Sequence, residues 1–75
     1  MPRYANLSGK SGIVAYRIGQ NSITVEFTGG IRYLYTIDSA GAENIARMHE
    51  LATAGRGLST FISQHVHDRY ARKLE

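Results

Sequence analysis

The chain contains no cysteine and no tryptophan, and only one proline, Pro2. Without cysteine there is no disulfide framework, no thiol nucleophile and no Cys-ligated zinc. Long apolar runs are missing too, so no segment reads as a membrane span. The opening Met1-Pro2-Arg3-Tyr4 lacks the apolar stretch of a signal peptide, and a cytoplasmic location is expected. Length is also short. At 75 residues the chain makes one domain. Domains of this size bury only roughly 60% of the surface their unfolded chain exposes. So small a core leaves little room for a deep substrate pocket, and no enzyme activity is expected.

Acidic residues are outnumbered. Nine lysines and arginines against six acidic residues give a formal charge of +3. Seven of the nine are arginines: Arg3, Arg17, Arg32, Arg47, Arg56, Arg69 and Arg72. Arginine grips phosphate with two parallel hydrogen bonds and stacks on bases. The seven are scattered, with no basic run, so the excess fits a solvated basic surface as readily as a polyanion partner.

Residues 1–11 hold Asn6, Ser8, Gly9, Lys10 and Ser11 with few apolar neighbours, and a flexible arm is expected there. Residues 13–18 are rich in β-formers and read as a first strand. Residues 23–28 alternate strictly, with Ile23, Val25 and Phe27 on one face and Thr24, Glu26 and Thr28 on the other. After Gly29-Gly30, residues 31–36 form a third strand. Two hairpin registers are open. A two-residue loop sets Phe27 on the face of Arg32 and Leu34. A longer loop or a bulge joins Ile23, Val25 and Phe27 to Tyr33 and Tyr35.

Asp38 or Ser39 can cap a helix over residues 40–54, with Ile45, Met48, His49 and Ala52 as its stripe. Gly55-Arg56-Gly57 ends it. Leu58, Phe61, Ile62, His65, Val66 and Tyr70 then recur at helical spacing and predict a second helix. Arg69, Arg72 and Lys73 fall in its last turns, where the helix dipole favours cations and phosphate contacts are an alternative use.

His65 and His67 point about 200° apart on a helix, too far round to share a metal. His65 is expected to pack and His67 to face solvent, and no metal or cofactor is expected. Ser59, Ser63, His65 and Asp68 fit no nucleophile motif. Gly55-Arg56-Gly57 is a plain turn or a small anion site, built from Arg56 and the amides of Leu58 to Thr60. Tyr33 and Tyr35 share one strand face. On an open sheet they make a stacking platform for bases. Under two helices they are core, the preferred reading, and outward Leu34 with Tyr16 then marks a homodimer contact.

Ile13 with Tyr16, Val25-Glu26-Phe27, Gly29-Gly30 and Tyr33-Leu34-Tyr35 stand in an order and spacing that resembles the KTSC domain, a short bacterial module named for the C-terminal region of some lysyl-tRNA synthetases and also found alone. Ser8 and Ser11 before them, and Ala54-Gly55, Leu58, Phe61-Ile62 and Tyr70 after them, complete the set. The likeness covers about residues 8–70. It departs after the Tyr-x-Tyr strand, where Ile37-Asp38-Ser39 stands in place of a frequent proline. The resemblance implies RNA or tRNA as partner, through the synthetase association, and supplies no catalytic residue.

The expected fold is α+β, a three-stranded antiparallel sheet followed by two helices on one face. Residues 12–73 form the domain, and Leu74-Glu75 reads as a tag remnant. The expected function is weak, non-enzymatic binding of RNA or another nucleic acid through Arg32, Tyr33, Tyr35, Arg56, Arg69, Arg72 and Lys73. The alternative is a structural or protein-interaction module, joined as a homodimer through the outer sheet face.

Overall fold

The computed structural model describes residues 1–7, 9 and 11–74. Ser8 and Lys10 of the expected arm, and Glu75 of the expected tag remnant, lie outside the described residues. The fold is α+β, as expected, but the sheet has four strands rather than three. They are β1 (Ile13–Ile18), β2 (Ser22–Phe27), β3 (Arg32–Thr36) and β4 (Arg72–Leu74), antiparallel and in that order. Between β3 and β4 run α1 (Ile37–Ala40), α2 (Ala42–Ala54) and α3 (Leu58–Phe61). The last continues into a π-helical turn, Ile62–Val66.

The hairpin takes the longer loop. Phe27 N–H donates to the Ile31 carbonyl at 2.7 Å across Thr28-Gly29-Gly30, and both glycines take positive φ. Val25 then faces Tyr33, and Ile23 faces Tyr35. Directly paired residues share a face, so the alternating apolar set of β2 joins the tyrosines of β3. In β1 the register slips by one between Ile13 and Ala15. This bulge puts Ile13 with Phe27 and Tyr16 with Val25, all on the inner side. Tyr16 therefore packs against the core and is not an outward residue.

Inward side chains of the sheet meet Ile45, Met48 and Ala52 of α2, Leu58 of α3, and Ile62 and Val66 of the π turn in one core. Two expected helices become three because of local capping. Thr36, not Asp38 or Ser39, is the cap: its Oγ1 accepts Ser39 N–H at 3.1 Å while Thr36 N–H donates to Ser39 Oγ at 3.0 Å. Gly41, with φ 95°, ends α1 after one turn and starts α2.

Of the segment expected as a flexible arm, residues 2–4 and Leu7 are packed on the body. Tyr4 N–H donates to the Val14 carbonyl, Tyr16 N–H donates to the Pro2 carbonyl, and Arg3 bridges Ala15, so the N-terminus extends the sheet beside β1. The Tyr4 ring is in the core at 5% exposure, and its hydroxyl accepts Leu58 N–H at 3.2 Å. That bond satisfies an amide that the start of α3 leaves without a helical partner.

The second long helix is also revised. Beyond Val66 the chain turns at His67 and Asp68, and Arg72–Leu74 pair with β3. Arg69, Arg72 and Lys73 are thus not at a helix end, and the dipole does not account for them.

Candidate nucleic-acid interface

Pairing register decides what the outer face of the sheet carries. Alternation that sends Ile23, Val25, Tyr33 and Tyr35 inward sends Thr24, Glu26, Arg32 and Leu34 outward. Arg17 pairs with Thr24, Thr24 with Leu34, and Leu34 with Arg72, which makes one row across all four strands. Ala15, Glu26, Arg32 and Leu74 form the neighbouring row by the same logic. At about 4.8 Å per strand, the backbones of Arg17 and Arg72 stand roughly 14 Å apart.

Among the described residues no helix covers this face, since the core cluster draws its helical side chains onto the inner one. Arg17 and Arg72 are exposed, while Thr24, Glu26, Arg32 and Leu34 are half-buried by their sheet neighbours. Four cations, with Arg3 beside Ala15 at the β1 edge, face one carboxylate, Glu26, which sits directly across from Arg32. Arg32 has an interaction partner within the chain, so Arg17 and Arg72 are the more accessible pair.

The seven residues expected to bind do not form one site. Arg32 and Arg72 come together on the outer face. Lys73 pairs with Tyr33 and lies on the opposite side. Arg56 sits at the α2–α3 junction, beside a glycine that packs on Ala5 and Leu7. Arg69 is in the turn after the π segment, its N–H donated to the Val66 carbonyl at 2.7 Å. Leu58 N–H, one of the amides offered for an anion at Gly55-Arg56-Gly57, is taken by Tyr4.

The tyrosines take the core reading. Tyr35 is 1% exposed and Tyr33 half-buried. The Tyr33 ring meets Phe27 edge-on at 5.8 Å and carries Tyr70 on its other side at 4.5 Å. Tyr70 also stands edge-on to Tyr35 at 6.3 Å. Burial first, then the neighbouring Tyr33 and Tyr70, pushes the Tyr35 phenol up to about 12. No aromatic side chain lies on the outer face among the described residues.

Arg17 was missed from the sequence because β1 shows no clean alternation. The bulge hides it, and only pairing with Thr24 reveals its face. The histidines serve structure. His49 Nε2 donates to the Ser22 carbonyl at 2.7 Å, tying α2 to the start of β2. His65, expected to pack in the core, is exposed and stacks on Phe61 at 4.5 Å. Among the described residues no group of three His, Asp or Glu is placed to hold a metal, and no helix is long and apolar enough to cross a membrane. No family model matches the chain, and no curated protein or solved structure matches it.

Proposed function

We propose that the protein is a non-enzymatic, cytoplasmic module that binds structured RNA by its phosphates, laid across the outer face of the sheet. The observation that carries this reading is the gathering of Arg17, Arg32 and Arg72, from three different strands, on one face with no helix over it. Their guanidinium groups suit phosphate, and Thr24 between them adds a hydroxyl donor. The absence of an aromatic ring there argues against a platform for unpaired bases, so the ligand is one whose bases are already stacked. The KTSC-like order of motifs agrees with an RNA partner, by the analogy of its synthetase association.

Self-association through this face is disfavoured, because a second copy would bring arginine against arginine in the low-dielectric contact. Leu34 and Leu74 are both half-buried and Ala15 is buried, so the face offers little apolar area.

Fluorescence anisotropy with a labelled RNA hairpin, at two salt concentrations, tests the reading. Binding is expected at low salt and must weaken as salt rises, with the log–log slope set by the phosphates neutralised. Arg17→Ala and Arg72→Ala are each expected to weaken binding alike for unrelated RNA sequences and to lower that slope by about one. Absence of binding at low salt, or binding indifferent to salt, would remove the proposal.

A further inference from the structure

We propose that Tyr70 is a clasp that holds Arg72 in the interface, so that RNA binding and docking of β4 are coupled; this rests on the reading of the outer face given above. With three paired residues, β4 is at the short end of strand lengths, so ties beside it add much to its hold on the sheet edge. Its other ties are close by. Ala71 N–H donates to the Leu34 carbonyl at 2.6 Å. One residue earlier, the Tyr70 ring lies on Tyr33 and edge-on to Tyr35, on the inner side of the sheet. One residue later, Arg72 pairs with Leu34 and faces outward. The chain bends at Ala71 and so grips the free edge of β3 from both sides. Tyr70 is 37% exposed, so its ring caps the aromatic cluster rather than building the core beneath it.

An RNA backbone held by Arg17 at one side and Arg72 at the other requires β4 to be docked. By linkage, whatever loosens β4 weakens binding, and bound RNA must in turn hold β4 in place. Tyr70 is thus a positioning residue for Arg72.

A double-mutant cycle with the RNA hairpin, run with amide hydrogen exchange, separates the outcomes. Tyr70→Ala is expected to speed exchange at Arg72 and Leu74 without RNA. It should also lower affinity by the same factor as Arg72→Ala, with no further loss in the double variant. Tyr70→Phe keeps the ring and is expected to bind as the wild type does. RNA is expected to slow exchange at β4 in the wild-type protein. Wild-type affinity in Tyr70→Ala, or losses that multiply in the double variant, would overturn the clasp. Failure of the wild type to bind RNA would overturn the interface itself, while unchanged β4 exchange in Tyr70→Ala without RNA would overturn the clasp alone.

Discussion

Tyr4 shows how much one side chain can do in so small a core. Its ring fills space between β1 and α3, and its hydroxyl accepts the Leu58 amide. Tyr4→Phe keeps the ring and leaves a buried N–H without its acceptor. A loss of about 1 kcal/mol in folding stability is expected, read from the denaturant midpoint. An unchanged midpoint would mean that water replaces the hydroxyl. Tyr35 gives a second residue-scale prediction, in pH. An unfolded tyrosine ionises near pH 10, and the folded Tyr35 at about 12. Between those values the folded state holds the proton and the unfolded state has lost it. Stability therefore falls as pH rises from about 10 through 12, by about 2–3 kcal/mol in all. Tyr35→Phe should remove that part of the alkaline loss, which denaturant titrations on either side of the window can check.

At the scale of elements, the glycine that ends α2 sits where a side chain does not fit. Gly55 has φ 81°, and a Cβ there would stand 2.6 Å from Ala5 Cβ. Gly55→Ala is expected to cost more than the roughly 1–2 kcal/mol of a left-handed residue alone, because the N-terminal segment must also move. Thermal unfolding reads this directly, and a neutral result would show that the segment is not docked on the helix end. β2 and β3 were legible in the sequence because one face of each is buried and the side-chain period is two, while the register of their hairpin stood between two alternatives until the loop was seen. α2 was legible from Ile45, Met48 and Ala52. β4 was not, since Arg72-Lys73-Leu74 has no pattern of its own and pairs only because the chain returns to β3. Tyr70 misled for a related reason. It falls four residues after Val66, at helical spacing, yet the helix ends at His67 and the ring joins the same aromatic cluster from a loop. The outer face was half legible: Arg32 followed from β3 alternation, but Arg17 and Arg72 needed the bulge in β1 and the fourth strand.

For the whole molecule, the packed N-terminus shows in its dimensions. The radius of gyration is 10.8 Å, against about 11 Å for a compact chain of this length, and among the described residues no arm stands off the body. The chain's own ends pair with the flanks of the sheet, residues 2–4 beside β1 and residues 72–74 beside β3, so its outermost strands are short. With short outermost strands and one face under helices, the outer face is the broad surface left for a partner. The net charge of +3 is modest, but it is unevenly spread, and that face carries four arginines, Arg3 among them, to one glutamate. The most direct test of this claim is a nuclear magnetic resonance titration of the labelled protein with an RNA hairpin at low salt. Shifts are expected at Arg17, Thr24, Leu34 and Arg72, with Gly55 to Leu58 unmoved. Shifts centred on Gly55 to Leu58, or none at all, would contradict it.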